Sequence, residues 1–218
     1  MQEIISEFQI EVSLPKWVTI RDNSTVPETE ASIRAADMHA PFLCKPEAAC
    51  GKSYSHDMAV FSSAEQLAGF AVPPPFTIQE FRNHGGVVLK VYVLGPHWFV
   101  YPGPSIADTE ATTGLRAFNS QELKHTAGAG EEARQAALDA LKARRSLVDA
   151  LVAGVGKKLG LSLFGVDILL EAAPGNRVYV VDVNYFPGYA GVEDMHNKLA
   201  DHIISRAKEA LSYLCTKP

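Results

Sequence analysis

The sequence predicts an α+β protein built as two lobes around a cleft, and three observations carry that reading. Short β-branched and aromatic runs recur at 41–45, 58–61, 76–81, 87–94, 98–101, 163–170 and 178–183. Each is strand-sized, and most are bounded by Gly, Pro, Asn or Ser. In contrast, Leu141, Val148, Leu151, Val152, Val155 and Leu159 fall at steps of three or four residues or their sums. That spacing is one face of an amphipathic helix. The helices do not alternate regularly with the strands, as they would in a doubly wound sheet. With 218 residues, 47% of them hydrophobic, the chain is long enough for one substantial domain or two small lobes.

In chain order, the segment up to about residue 40 is sparse. A short apolar stretch over Pro15–Ile20 precedes a polar link from Arg21 to Glu30. The strand at 41–45 runs into a loop of Ala, Gly and Ser over 47–54. After the strand at 58–61, residues 62–69 read as a short helix with Ser at its start, and Pro73-Pro74-Pro75 stops it. Gly85-Gly86 precedes the 87–94 strand, and Gly95-Pro96 marks a hairpin to the strand at 98–101. Residues 102–130 lose periodicity and read as an irregular loop. The amphipathic helix ends near Gly160. The strands at 163–170 and 178–183 flank the turn-like Ala173-Pro174-Gly175-Asn176 and should pair as a hairpin. Residues 193–214 close the chain as a helix.

Composition excludes several classes. A net charge of −5 and a pI near 5.8 argue against a dedicated nucleic-acid binder, which would carry a basic excess. No apolar run reaches membrane-spanning length, and the start MQEIISEFQIEV has acids where a signal peptide would be basic. Cys44, Cys50 and Cys215 are too few and scattered for a disulfide framework or a zinc cage. They read as buried or inert thiols in a reducing cytoplasm.

The chemistry concentrates in a few places. Asp182 and Asn184 in Val180-Val181-Asp182-Val183-Asn184 project from one side of a strand, with Val181 and Val183 facing the core. A buried acid at a strand end needs a partner or a metal. Asp167 repeats the device on the preceding strand. Converging, Asp167, Asp182 and Asn184 would offer the hard oxygens of a Mg²⁺ site; as separate strand-end groups they would make turn hydrogen bonds. Lys45 and Lys90 lie inside apolar strands, placed either to anchor phosphates or to snorkel at a sheet edge. Cys50-Gly51-Lys52-Ser53 mimics the tail of a P-loop. The required first glycine is replaced by Pro46 and no parallel βαβ pattern surrounds it, so a P-loop is rejected. The loop could still fold over phosphates through its backbone N–H groups. Ser55-His56 has no Asp arranged as a triad that sequence can establish.

These residues resemble the inositol 1,3,4-trisphosphate 5/6-kinase family of the ATP-grasp superfamily, in its plant and algal pattern. The likeness rests on Lys45-Pro46 through Gly51 to Ser55-His56-Asp57-Met58, on Gln79-Glu80-Phe81-Arg82-Asn83-His84-Gly85-Gly86, and on Leu89-Lys90-Val91-Tyr92. It continues through Phe164-Gly165-Val166-Asp167-Ile168 and Asp182-Val183-Asn184-Tyr185-Phe186-Pro187-Gly188-Tyr189, and covers nearly the whole chain. The resemblance implies an ATP-grasp fold of two α+β lobes with the nucleotide between them, a central lobe over 1–84 and a C-terminal lobe with the Mg²⁺ site over 85–218. It implies phosphoryl transfer from ATP to a ring hydroxyl of an inositol tris- or tetrakisphosphate. Lys45 would hold ATP phosphates; Gln79, Glu80 and Phe81 would form the adenine hinge; Ser105 would touch the nucleotide. Asp167, Asp182 and Asn184 would hold Mg²⁺. His56, Lys90, Asn184 and Gly188 would line the inositol phosphate side, with Lys90, Asp182 and Asn184 serving catalysis. The protein would be a cytoplasmic monomer contacting neither nucleic acid nor membrane.

Two departures from the family pattern stand out. The family's N-terminal domain, whose lysines help bind substrate phosphates, would precede this chain, which starts too late to hold it. Residues 1–44 carry three basic and seven acidic residues, net −4, and residues 45–90 carry four of each. That is poor steering for a polyanion. The family's basic residue shortly before Ser105 is replaced by neutral Tyr101-Pro102-Gly103-Pro104. The competing readings are an ATP-grasp ligase working through an acylphosphate, and a nucleotide- or inositol-phosphate-binding module without turnover.

Overall fold

The computed structural model describes residues 1–21, 24–48, 51–70, 72–112, 114–124, 129–172, 175 and 177–215. Their strands form two antiparallel sheets. The first contains β1 (Trp17–Ile20), β2 (Phe42–Pro46), β3 (Asp57–Phe61), β4 (Phe76–Glu80) and β7 (Arg116–Asn119), in the order β1-β4-β2-β3-β7. The second contains β5 (Val87–Leu94), β6 (His97–Pro104), β8 (Leu163–Leu170) and β9 (Val178–Asn184), in the order β6-β5-β8-β9. Among the described residues six α-helices accompany them: α1 (Gln2–Glu7), α2 (Val26–Ala35), α3 (Ala64–Leu67), α4 (Glu131–Lys142), α5 (Arg145–Leu159) and α6 (Met195–Cys215). Among the described residues no helix is long and apolar enough to cross a membrane.

Strand alternation divides the second sheet into two faces. Val87, Leu89, Val91 and Val93 of β5 join Val166 and Ile168 of β8 in a core closed by Leu141, Val148, Leu151 and Val155 of α4 and α5. Full burial of each such side chain stabilises the fold by about 1.5–3 kcal/mol. The intervening Lys90 and Tyr92 therefore stand on the opposite face. In the first sheet Ile20, Phe42, Cys44, Phe61 and Ile78 pack with Ile33 of α2 and with Met38. Cys44 faces that core, which turns its neighbour Lys45 the other way. The glycine expected to stop the amphipathic helix, Gly160, caps α5 in the left-handed conformation at φ 66°.

Several elements differ from expectation. The polar link at 21–30 contains the start of α2, opened by a capping box in which the Glu28 carboxylate accepts from the Thr25 backbone N–H at 2.7 Å, with Pro in the first turn. Thr25-x-x-Glu28 was the readable signal. The sparse N-terminus contains α1, held by Ile4 against α5. The loop at 102–130 shortens, because β6 continues to Pro104 and β7 returns to pair with β3. The single amphipathic helix is two. It breaks at Ala143–Arg144, where the Arg144 guanidinium donates to the Ala140 carbonyl at 2.7 Å and caps α4. Leu141 and Val148 stay on one apolar face across the break, so periodicity alone passes through it.

Two segments sit across the line drawn between 84 and 85. Ile4, Ile10 and Val12 bury themselves in the core of the second sheet, while β7 belongs to the first. Gly154 of α5 admits the N-terminal segment: a Cβ there would meet Ile10, Phe8 and Ile4 at 3.1–3.3 Å.

Candidate active site

One row of residues crosses the four strands of the second sheet. Tyr101 of β6 stands opposite Lys90 of β5, Lys90 opposite Asp167 of β8, and Asp167 opposite Asp182 of β9. Opposed residues share a face, and this face is the one turned away from the helical core. The Lys90 ammonium donates to Asp167 Oδ2 at 2.6 Å, and the Asn184 amide donates to Asp182 Oδ2 at 3.1 Å. The row depends on a β-bulge. Ile168 pairs with Val180 but Asp167 pairs with Asp182, so Val181 is an extra residue. Without it Asp182 would share the buried face of Val166.

The first sheet contributes Lys45. Burial pushes its pKa down, and the carboxylates of Asp182 and then Asp167 pull it back up. The ammonium therefore lies within electrostatic reach of both acids, while Lys90 alone of the two lysines bonds a carboxylate, that of Asp167. Asp167 is the more buried of the two acids, its side chain 14% exposed. Burial raises its pKa above the usual carboxylate range; Lys90 opposes that shift and Asp182 adds to it. The sequence reading placed a buried acid at 182, but Asp182 is exposed. The last turns of the pleat in β9 alternate half-buried Val181 and Val183 with exposed Asp182 and Asn184. Among the described residues no three His, Cys, Asp or Glu side chains converge to hold a metal. The oxygen donors here are two carboxylates and the Asn184 amide oxygen, which the bond from its NH₂ to Asp182 does not use. Few hard oxygens of this kind suit Mg²⁺, which keeps waters and substrate oxygens in its shell.

Ser105 extends the same face. Its N–H donates to the Gly86 carbonyl at 2.8 Å, continuing the β5–β6 ladder by one pair beyond Val87–Pro104. Ser105 thus points with Gly103 and Tyr101, roughly 13 Å along the strand from the Lys90 row at 3.3 Å per residue. Its hydroxyl meets His84 Nε2 at 2.7 Å. His84 is buried and lies outside the expected site residues; the Asn-His-Gly-Gly run just before a strand is the signal for it in the sequence.

The expected hinge is more heavily committed than its sequence suggests. The Glu80 N–H donates to the Lys16 carbonyl at 2.9 Å and the Phe81 N–H to the Pro41 carbonyl at 2.8 Å. Glu80, 1% exposed, accepts from the His39 N–H at 2.9 Å and pairs with Arg82, whose guanidinium lies over the Tyr179 ring. Gln79 is buried within β4, flanked by Trp17 and Leu43. This cluster joins the two sheets rather than opening toward a ligand through the 80 and 81 amides.

His56 sits where β3 meets β7, its carbonyl accepting from the Ser120 N–H at 2.8 Å and its ring 3.4 Å from the Ser120 hydroxyl. Of the loop before it, residues 49 and 50 lie outside the described residues, as do parts of the 173–176 turn. Gly188 is exposed, and a Cβ there would meet nothing within 4 Å. Beside it Tyr189 is buried, donating its hydroxyl to the Val93 carbonyl at 2.8 Å. Gly165 packs under the same loop, its Cβ position 3.0 Å from Pro187.

The model of the inositol 1,3,4-trisphosphate 5/6-kinase ATP-grasp domain matches residues 6–205. The chain belongs to that family. Among curated relatives, inositol-tetrakisphosphate 1-kinase 3 of Arabidopsis thaliana is 30% identical over 205 residues, covering 92% of this chain and 57% of that protein. Inositol-tetrakisphosphate 1-kinase 2 of Glycine max is 32% identical over 207 residues, covering 91% and 64%. The chain therefore spans less than two thirds of the length of these relatives. The fold is shared with D-cycloserine synthetase DcsG, at a TM-score of 0.54 and 14% identity over 93% of this chain and 67% of that one. It is shared also with the ATP-grasp ligase PsnB, complexed with precursor peptide PsnA2 and AMPPNP, at 0.50 and 18% over 95% and 57%. The α+β ATP-grasp architecture expected from the sequence is the one present.

Proposed function

We propose that this domain transfers the γ-phosphoryl group of ATP to a ring hydroxyl of an inositol tris- or tetrakisphosphate. The observation that carries the reading is the Lys90–Asp167–Asp182 row of the second sheet, within electrostatic reach of Lys45 from the first, in a chain of this family. Phosphoryl transfer asks the protein mainly for positioned charge and excluded water. Lys45, Lys90 and the two acids would supply that charge. Lys45 would hold ATP phosphates, and Ser105 the far end of the nucleotide. Gln79, Glu80 and Phe81 would border adenine, with carbonyl oxygens in place of the amides already used at 80 and 81. Asp167, Asp182 and the Asn184 amide oxygen would hold Mg²⁺, which when bound would neutralise phosphate charge. Lys90, Asn184 and Gly188 would face the inositol phosphate, with His56 reaching it from just before β3. The same reading makes the protein a cytoplasmic monomer acting on small molecules.

The test is incubation with Mg-ATP and a panel of inositol tris- to pentakisphosphates, with products resolved by isomer. A new ring phosphate formed in step with ADP supports the reading. Nucleotide binding with no ring phosphorylation would leave only a binding module. Phosphate released in proportion to a new amide would reassign the chain as a ligase.

A further inference from the structure

The Asn83-His84-Gly85 run clamps the segment after β6. The Asn83 amide donates to the Thr109 carbonyl and its oxygen accepts from the Thr109 N–H, both at 3.0 Å. The N–H groups of His84 and Gly85 fork onto Asp108 Oδ1 at 2.8 and 2.9 Å. Between these ties His84, 6% exposed with Phe81 at its ring edge, reaches Ser105.

The direction of the His84–Ser105 bond follows from chemistry. His84 Nδ1 lies 2.6 Å from the Arg82 carbonyl. A carbonyl only accepts, so Nδ1 carries the proton. Burial pushes the His84 pKa down, outweighing the opposing pull of the Arg82 carbonyl and the Asp108 charge, so the ring is neutral. Nε2 is then a lone pair, and the bond at 2.7 Å uses the only proton that the Ser105 hydroxyl has. What Ser105 can still offer to the cleft is lone pairs. A phosphate oxygen, which mainly accepts, gains nothing from it; a sugar hydroxyl, which can donate, does. Ser105 also lies roughly 13 Å along the face from the charged row, a span suited to the distance between terminal phosphates and ribose.

We propose that His84 is a positioning residue that fixes Ser105 as a hydrogen-bond acceptor for a ribose hydroxyl, and so sets which way the nucleotide lies in the cleft. This rests on the ATP reading above. The test is calorimetric binding of Mg-ATP, Mg-2′-deoxy-ATP and Mg-3′-deoxy-ATP to the parent protein, S105A, H84L and H84Q. The parent should bind one deoxynucleotide about five- to tenfold more weakly than ATP, as loss of one neutral hydrogen bond implies. S105A and H84L should bind ATP more weakly by that same factor and no longer distinguish the nucleotides. The double variant S105A/H84L should be no weaker than H84L. H84Q, whose side-chain oxygen can accept at the Nε2 position, should recover discrimination, which a loss of folding alone would not produce. S105A occupies a half-buried position and tests the acceptor independently of His84. Discrimination retained in S105A, or a parent that binds ATP without discriminating, overturns the inference and leaves the kinase reading standing. A parent that binds none of the three overturns both.

Discussion

Lys90 and a divalent ion should compete for the same oxygen. The Lys90 ammonium sits 2.6 Å from Asp167 Oδ2, and a hydrogen bond of this charged kind contributes about 1.5–3 kcal/mol. An ion that takes Asp167 must displace or share that bond. Lys90 is 32% exposed, so solvent screening places the cost at the lower end of the range. At about 1.4 kcal/mol per factor of ten, Lys90→Met should tighten divalent-ion binding to the nucleotide-free protein about tenfold. The same change leaves a buried carboxylate without its partner, so the metal-free variant should melt at a lower temperature and recover on adding the ion. The assay is titration with Mn²⁺, followed by electron paramagnetic resonance or calorimetry at pH 8. Asp167→Asn serves as the variant that should lose binding. Affinity in Lys90→Met equal to or below that of the parent would refute the competition and remove Asp167 from the ion's ligands. Turnover is a separate readout. If Lys90 serves the acceptor, Lys90→Met should raise the inositol phosphate KM while background ATP hydrolysis stays largely intact.

Other outcomes follow from the same geometry. Asp182→Asn should abolish turnover, yet shift the metal-free melting temperature little because the side chain is exposed; near-normal turnover would remove Asp182 from the site. Gly188→Ala should leave stability within about 0.5 kcal/mol, since a Cβ there meets no atom within 4 Å. It should nonetheless raise the inositol phosphate KM, and an unchanged KM would take Gly188 off the acceptor side. The Cys44 thiol is 1% exposed and burial pushes its pKa up to about 12. At pH 8 it should stay protonated and escape iodoacetamide until denaturant is added; peptide mapping that finds Cys44 alkylated in the folded protein would contradict the packing of the first sheet.

Much of the fold could be read because it rests on local chemistry. The hairpin at Gly95-Pro96, the β8–β9 pair and the Gly160 cap each follow from a few adjacent residues whose backbone preferences agree. What escaped depends on distant partners. Helix α1 is short and has little reason to form alone; its Ile4 packs at Gly154 of the distant α5, in the core that α5 shares with the second sheet. β7 is four residues whose stability comes from the free edge of β3. The break between α4 and α5 lies at Ala143–Arg144, neither of them a helix breaker, so composition could not locate it.

The candidate site divides along the same line. Residue types marked Lys45, Lys90, Asp167, Asp182 and Asn184, because charged or amide groups inside apolar strands need a reason to be there. Their convergence could not be read from spacing. Counting back from the turn with strict alternation on both strands places Asp182 opposite Val166, in the helical core. The extra residue Val181 moves Asp182 and everything after it by one position, bringing it beside Asp167 and Asn184 opposite Gly165. Asp182 then reaches the exposed face, where Lys45 of the other sheet feels its charge. The same shift seats Pro187 against the bare backbone of Gly165, which fixes the loop carrying Gly188 beside the acids. One unpaired valine thus brings Asp182 and Asn184 onto the face of Asp167 and Lys90, with the loop carrying Gly188 following them, and it does so through hydrogen-bond register rather than residue type.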